Sequence, residues 1–309
     1  MSDLLAIGEA LIELNQPSEG APFVQGFGGD TSNAMIAAAR LGADAAYFTA
    51  VGADRFGQAL TELWLSEGVD ASRIVVNGGA HTGLYFVAHG PEGHAFSYMR
   101  AGSAASRIGE SDLPVDRIRA AKILHASGIS QAISSSAADA VFAAIDIARD
   151  ADRLVSYDPN LRLKLWPLRR ARAIIHEAMG LCDIALPGLD DAQALTGLSD
   201  PDAIVDFYLR LGARVVALKL GAAGAIAATP KRRERIAGHA VAALDATGAG
   251  DCFDGAFLAE YVRTRDPFAA ARFANVAAAL STLGYGAVKP LPRRAAVEAK
   301  LASDQGPRA

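Results

Sequence analysis

A glycine-rich segment late in the chain has the residues needed to bind a phosphate group beside an acid–base residue. It reads Asp245-Ala-Thr-Gly-Ala-Gly-Asp251, and the residues after it have the apolar spacing of a buried helix face. Gly248, Ala249 and Gly250 have small side chains or none, so their backbone N–H groups can approach an anion at the positive end of the helix dipole. Asp251 could then accept the proton of an attacking hydroxyl group. Alone, the motif is equally compatible with a tight loop whose Asp caps the helix.

A second glycine pair precedes another predicted helix early in the chain. The segment is Gly28-Gly29-Asp30-Thr31-Ser32-Asn33. Without side chains, Gly28 and Gly29 allow a ligand hydroxyl group to approach the backbone closely. The alternative is a simple helix start in which Asp30 or Thr31 is the cap.

The elements that must position these residues follow a regular alternation. Short apolar runs bounded by Gly, Pro or Asp are typical of buried parallel strands, and longer runs with apolar residues at every third or fourth position are typical of helices. The predicted strands are 4–8, 45–50, 123–127, 154–157, 183–186 and 215–218. The predicted helices are 31–41, 57–67, 134–149, 168–178 and 202–211. The pattern predicts an α/β fold with a mainly parallel central sheet that is flanked by helices on both faces.

Two stretches interrupt this alternation and predict a small separate β layer. They are about 9–27 and 79–100, and the second contains a predicted hairpin around Gly90-Pro-Glu-Gly93. A β-sheet lid over the carboxyl ends of the parallel strands would keep water from a reactive phosphoryl group. We therefore expect one domain over 1–309 with a discontinuous lid.

Composition excludes several other classes of protein. Of the 309 residues, 51% are hydrophobic and 21% are charged, and the net charge of -4 provides no basic field for nucleic acid. Arg residues cluster in 231–235, which is predicted to be a solvated turn. Cys182 and Cys252 are too few and too far apart for a disulfide framework or a metal cluster. The first ten residues contain Glu9 and no basic region, so we expect a cytoplasmic protein without membrane insertion.

In combination, these motifs resemble the PfkB, or ribokinase-like, family of carbohydrate kinases. The resemblance rests on Gly28-Gly29 with Asn33, on the Asp251 motif more than two hundred residues later, and on the alternation between them. It implies a three-layer fold, ATP and Mg²⁺ as cofactors, and a small-molecule sugar substrate. It also implies that Asp251 is the catalytic base and that Gly248, Ala249 and Gly250 stabilise the transferring phosphoryl group.

The resemblance extends to the nucleotide site, with one departure. Lys219-Leu-Gly221-Ala-Ala-Gly224 is similar to the family's turn by the nucleotide phosphates, and Asn275 matches a position near the base. A hairpin turn and a helical, solvent-facing Asn are the alternatives for these segments. The family often has Asn-x-x-Glu where this chain has Gly188-Leu-Asp-Asp191. Asp191 can replace Glu, through water, near Mg²⁺, whereas Gly188 offers no amide.

Several segments are most similar to the 2-keto-3-deoxygluconate kinases of this family, which implies phosphorylation of a sugar acid at its terminal hydroxyl group. They are Thr82-Gly-Leu-Tyr85, 98–106, 124–128 and Asp158-Pro-Asn-Leu-Arg162 with 164–166. A substrate carboxylate needs a cation, and Arg100 and Arg162 are the candidates. Tyr85 and Tyr98 could point phenol groups into the site, and Asp158 could organise either the metal or the Arg162 loop.

Two kinds of alternative function remain at this point. The first is another kinase of the family that acts on fructose, ribose or a different deoxy sugar acid. The second is a sugar-acid-binding regulator without catalysis, against which the intact Gly-Ala-Gly-Asp251 sequence argues. The apolar residues of the predicted lid also lead us to expect a homo-oligomer.

Overall fold

Fourteen strands form three sheets in the part of the chain that the computed structural model describes, residues 2–90 and 93–304. In chain order they are β1 (Leu4–Ile7), β2 (Leu11–Gln16), β3 (Val24–Gly28), β4 (Ala45–Phe48), β5 (Ala50–Gly52), β6 (Val75–Asn77), β7 (Leu84–Gly90), β8 (Gly93–Met99), β9 (Ile123–Ser127), β10 (Leu154–Asp158), β11 (Ile184–Ala185), β12 (Val215–Lys219), β13 (Gly224–Thr229) and β14 (Arg232–Ala237).

The central sheet contains all six predicted strands. Its order is β14-β13-β12-β11-β10-β9-β1-β4, and the pairs from β12 to β4 are parallel. Only β13 and β14 at one edge are antiparallel. The parallel strands are short, buried and apolar because helices cover both of their faces. The prediction of a mainly parallel sheet is confirmed.

The helices follow the predicted alternation. In chain order they are α1 (Asp30–Arg40), α2 (Arg55–Ser66), α3 (Val115–Ala120), α4 (Gly128–Ala132), α5 (Ser135–Asp150), α6 (Leu168–Leu181), α7 (Leu189–Thr196), α8 (Pro201–Leu211), α9 (Ala249–Thr264), α10 (Pro267–Ser281) and α11 (Arg294–Asp304). Each of the five predicted helices corresponds to one of these. Within the described residues, none of the helices has both the length and the apolar character needed to cross a membrane.

Two apolar cores lie on opposite faces of the central sheet. Because side chains alternate along a strand, Leu4 and Ala6 of β1 pack into one core while Leu5 and Ile7 pack into the other. The first core is closed mainly by α1, α9 and α10, and the second mainly by α5, α6 and α8. The fold therefore has three layers, as the resemblance implied.

A separate four-stranded sheet forms the lid, in the order β3-β2-β7-β8. Its strands come from the two stretches that interrupt the alternation, and β2 joins them by pairing in parallel with β7. The predicted hairpin is present as β7 and β8, with Gly90 opposite Gly93. Its predicted turn residues Pro91 and Glu92 lie outside the described residues.

The Arg-rich segment differs from the prediction of a solvated turn. Residues 232–237 form β14, the edge strand of the central sheet. Arg233 pairs with Asp202 and Asp206 of α8, so charges that looked solvated in the sequence have acidic partners on a neighbouring helix. The local pattern missed the strand because four consecutive residues, 232–235, are charged, which hides the alternation that is typical of a strand.

Candidate active site

A cleft of about 1000 Å³ lies between the lid and the carboxyl ends of β10 and β12. This is the edge at which ligands bind to parallel α/β sheets. The predicted site residues that line it are Gly28, Gly29, Asp30, Asn33, Tyr85, Tyr98, Arg100, Arg162, Asp191, Lys219, Gly221, Gly248, Gly250 and Asp251. Ala249 belongs to the same turn as Gly248 and Gly250. Most of the predicted site is thus brought to one surface.

The Gly-Ala-Gly turn forms the start of α9. Gly248 is the cap residue with φ of 76°, and a Cβ atom there would lie 2.9 Å from the Cβ of Ala287. Both facts make glycine necessary at this position. No side chain caps the helix. The Ala249 amide donates to the Ala246 carbonyl oxygen over 3.1 Å, so the amides of Gly250 and Asp251 are the ones that remain available to an anion from the cleft.

Asp251 lies in the first turn of α9 and contacts the second glycine motif. The Asn33 side chain donates a hydrogen bond from Nδ2 to Oδ2 of Asp251 over 2.8 Å. Burial, followed by the Asp30 and Asp158 carboxylates, raises the pKa of Asp251 to about 7, against the lowering effects of Asn33 and Lys219. A carboxylate with a pKa near neutrality is suited to general base catalysis.

This pKa predicts a pH dependence for any reaction in which Asp251 is the base. Only the carboxylate form accepts a proton, so we expect kcat to rise with pH through about 7 and then level off. In Asn33→Ala, loss of the hydrogen bond to the carboxylate should move this limb to higher pH. Rate profiles of the two proteins on the same substrates measure the shift. An unchanged midpoint would assign the limb to the titration of ATP, which the two assays share.

The glycine pair before α1 packs against the protein itself. Gly29 caps α1 with φ of 117°, and a Cβ atom there would lie 2.4 Å from the carbonyl oxygen of Glu9. A Cβ atom on Gly28 would lie 2.6 Å from the Tyr85 hydroxyl group. Neither Asp30 nor Thr31 is the cap residue. The glycines are therefore explained by groups that lie close to the backbone, as expected. These groups belong to Glu9 and Tyr85 of the protein.

Two acceptors at this end of the cleft have no hydrogen-bond partner among the residues that the structure describes. Asn160 donates to Oδ2 of Asp30 over 2.9 Å, but Oδ1 of Asp30 is buried and unpaired. Oδ1 of Asn33 is also buried and unpaired. Because buried acceptors without donors are costly, this pair is suited to ligand hydroxyl groups. Asn160 was not among the predicted site residues, although it belongs to the Asp158-Pro-Asn segment.

The two candidate arginines differ in their surroundings. Arg100 forms an ion pair with Glu9, whose other carboxylate oxygen accepts a hydrogen bond from Ser103 over 3.1 Å. The Nε atom of Arg100 is buried and has no hydrogen-bond partner within 2–90 and 93–304. Arg162 is exposed at the cleft wall, bonds only to the Leu161 carbonyl group, and has no ion pair with any residue that the structure describes. Both can therefore still donate to an anion.

The tyrosines belong to the lid face of the cleft. Tyr85 donates from its hydroxyl group to Oε2 of Glu13 over 2.5 Å and stacks on Tyr98, with ring centroids 5.6 Å apart. Tyr98 is 45% exposed. The Tyr85 phenol is thus held inside the lid, while the ring of Tyr98 is partly exposed at the cleft wall, with the Arg100 guanidinium group 5.6 Å from its centroid.

Only some of the residues predicted to lie near the nucleotide line the cleft. Lys219 and Gly221 line the cleft beside the α9 turn. Gly224 begins β13 and is absent from the cleft wall, and Asn275 is buried, donating from Nδ2 to the Ala237 carbonyl group over 2.7 Å. The structure therefore does not bring Gly224 and Asn275 to the cleft.

The donor set of the cleft fits a nucleotide phosphate with Mg²⁺. Asp30, Asp158, Asp191 and Asp251 line it, and burial raises the pKa of Asp191, with a further contribution from Asp158. Oδ2 of Asp191 accepts a hydrogen bond from the Leu161 amide over 3.0 Å, which leaves its other oxygen for water or metal. No three His, Cys, Asp or Glu side chains in the described chain converge as a metal site. A magnesium ion here would take most of its ligands from phosphate and water.

Comparison with known proteins gives a consistent result. Residues 1–294 match the family model described as pfkB family carbohydrate kinase. The chain is 36% identical to the 2-dehydro-3-deoxygluconokinase of Thermoproteus tenax, covering 96% of this chain and 93% of that one. It is 33% identical to fructokinase-1 of Oryza sativa, covering 94% of each. A putative ribokinase II of E. coli, solved with ATP and Mg²⁺, superposes with a TM-score of 0.90 at 26% identity, over 98% of this chain and 100% of that one.

Proposed function

Because the chain belongs to the PfkB family of carbohydrate kinases, we propose that it transfers the γ-phosphoryl group of ATP to the terminal hydroxyl group of 2-keto-3-deoxygluconate. 2-Dehydro-3-deoxygluconate is another name for this sugar acid, so the Thermoproteus tenax relative supports the proposal. The product is the 6-phosphate of the same acid.

The unpaired polar groups of the cleft are the observation that carries the choice of substrate. Arg100 Nε and the Arg162 guanidinium group are donors without an acidic partner for these atoms, and both suit a carboxylate. Asp30 Oδ1 and Asn33 Oδ1 are acceptors that suit hydroxyl groups. A short chain with an acid at one end and hydroxyl groups along it offers partners to all four, whereas a neutral sugar offers no carboxylate to Arg100 Nε or to Arg162.

The residues of the cleft then divide the work of phosphoryl transfer. When bound, ATP with Mg²⁺ supplies the phosphoryl group and the metal neutralises part of its charge. Asp251, held by Asn33, accepts the proton of the terminal hydroxyl group as its oxygen attacks. The amides of the 248–250 turn and Lys219 stabilise the negative charge, and the lid excludes water. Catalysis consists mainly of positioning and charge stabilisation.

Fructose is the second candidate, since the chain is nearly as similar to a fructokinase. The test is ATP turnover by the purified protein with Mg²⁺ on 2-keto-3-deoxygluconate, its galactose-derived epimer, gluconate, fructose and ribose. We expect the two 2-keto-3-deoxy acids to have the highest kcat/KM. A preference for fructose or ribose would overturn the substrate while leaving the reaction class, and binding without turnover would favour a regulator.

A homo-oligomer also stays a proposal. Val24 and Met99 of the lid are exposed and do not line the cleft, and apolar residues on a small open sheet are a suitable contact for a second copy.

A further inference from the structure

A buried lysine–carboxylate cluster lies beneath the nucleotide side of the cleft. Nζ of Lys219 lies 2.9 and 3.0 Å from the two carboxylate oxygens of Asp254 and 3.0 Å from Oδ2 of Asp158. The Asp254 side chain is only 2% exposed, and that of Lys219 is 13% exposed. The ammonium group is thus fixed by carboxylates from two different elements, α9 and β10.

The cluster holds its positive charge next to the phosphate-binding turn. A Cβ atom built on Gly250 would lie 3.8 Å from Nζ of Lys219, so the ammonium group borders the first turn of α9. Asp254 follows Asp251 by three residues, which places both side chains on the same face of this helix. One helix therefore contributes the base, the anion-binding amides and the residue that holds the cation.

The electrostatics keep Lys219 charged. Burial alone would lower the pKa of Lys219, but the Asp158 and Asp254 carboxylates outweigh it and raise that pKa. Burial and the Asp158 charge raise the pKa of Asp254, and Lys219, in contact with both of its oxygens, opposes this rise and favours the carboxylate. The cluster contains two acids and one base in little solvent, an arrangement that is costly to maintain for stability alone.

Of the two carboxylates, Asp254 is better suited to hold the Lys219 ammonium group in one position. It contacts Nζ with both oxygens, whereas Asp158 uses one oxygen for Lys219 and the other for the Asn160 amide, over 3.1 Å. Asp254 itself is absent from the cleft wall and so acts only through Lys219.

We propose that Asp254 is a positioning residue for phosphoryl transfer, which holds the Lys219 ammonium group beside the 248–250 turn so that it contacts the transferring phosphoryl group. The inference rests on the proposed kinase reaction but on no particular sugar. It predicts that loss of Asp254 reduces the stabilisation of the transition state more than the binding of either substrate. The reason is that the Lys219 cation stays in the cleft but no longer lies where the phosphoryl group is transferred.

The test is the steady-state kinetics of Asp254→Asn, Lys219→Met and the double variant, on the acceptor that the wild type phosphorylates fastest. We expect Asp254→Asn to lower kcat about 10- to 100-fold and Lys219→Met about 100- to 1000-fold. KM for the sugar should change by less than about threefold. The double variant should be no slower than Lys219→Met alone, because Asp254 acts through the lysine.

The matched control is Glu260→Gln, which removes a buried, ion-paired acid from the same helix away from the cleft. It should lower the melting temperature and leave kcat within about twofold. A wild-type kcat for Asp254→Asn, or losses that multiply in the double variant, would overturn the proposal. If Asp254→Asn does not fold, the test uses Lys219→Arg, which keeps the positive charge but changes its position. Its kcat must fall at least about tenfold if the position of the charge matters. If the proposed substrate were wrong, the wild type would prefer another acceptor in the substrate test, and the ratios of variant to wild-type kcat would be unaffected.

Discussion

Asp251→Asn is expected to lower kcat about 10³- to 10⁴-fold, because the amide cannot accept the proton of the attacking hydroxyl group. Asn has nearly the same size and can still accept the hydrogen bond from Asn33, so the turn should keep its shape. The anion-binding amides and Lys219 are unchanged, so ATP should bind with an affinity within a few fold of the wild type. Coupled measurement of ADP release gives the rate, and calorimetric titration with ATP and Mg²⁺ gives the affinity.

Asp190→Asn is a suitable control for this experiment. It removes one negative charge from the cleft wall at an exposed position on α7 that has no role in the proposed reaction. Its kcat should stay within about threefold of the wild type, since an exposed charge is screened by solvent. If Asp251→Asn retained a comparable rate, Asp251 would not be the base.

Arg162→Ala is expected to lower kcat/KM for the sugar acid about 10- to 100-fold, corresponding to about 1.5–3 kcal/mol for hydrogen bonds to a charged group. Arg162 has no acidic partner in the described chain, so its removal leaves no carboxylate of the protein unpaired. The rate on a neutral sugar such as fructose should therefore change little. The measurement is the ratio of kcat/KM for the two substrates in the variant and in the wild type.

Two further variants make the Arg162 result specific. Arg162→Lys keeps the charge without the paired donors and should recover only part of the loss. Arg169→Ala removes an exposed arginine of α6 outside the cleft and should leave the ratio unchanged. Equal losses on the acid and the neutral sugar in Arg162→Ala would remove its role in carboxylate recognition.

The parts of the fold that the sequence predicted are those set by local patterns. Short apolar strands and amphipathic helices have periods that do not depend on the rest of the chain, so the central sheet and five helices were found within a few residues. The sequence also indicated where the two glycine turns lie. Gly248 and Gly29 adopt backbone conformations that other residues rarely adopt, so glycine at these positions is informative. The charged edge strand β14 was missed because its pattern resembles an exposed turn.

The parts of the site that sequence reasoning missed depend on contacts between distant segments. The partners of Lys219 are 35 and 61 residues away, and Glu9 is 91 residues from Arg100. Asp254 looked like one polar residue within a helix, and no local signal marks it as buried. Similarity to a family implied that Gly224 lies by the nucleotide phosphates and Asn275 near the base, and neither residue lines the cleft in the structure. Only the three-dimensional packing of β10, β12 and α9 shows which charges meet.

The lid has a different relation to folding from the rest of the chain. Its two halves are joined by the parallel pairing of β2 with β7, and Glu13 meets Tyr85 across 72 residues of sequence. We expect this pairing to follow the formation of the central sheet, because closing so long a loop has an entropic cost. Its outer strand β8 has exposed apolar residues and a single neighbour. We therefore expect the lid to be less stable than the core and to open locally while the central sheet remains folded.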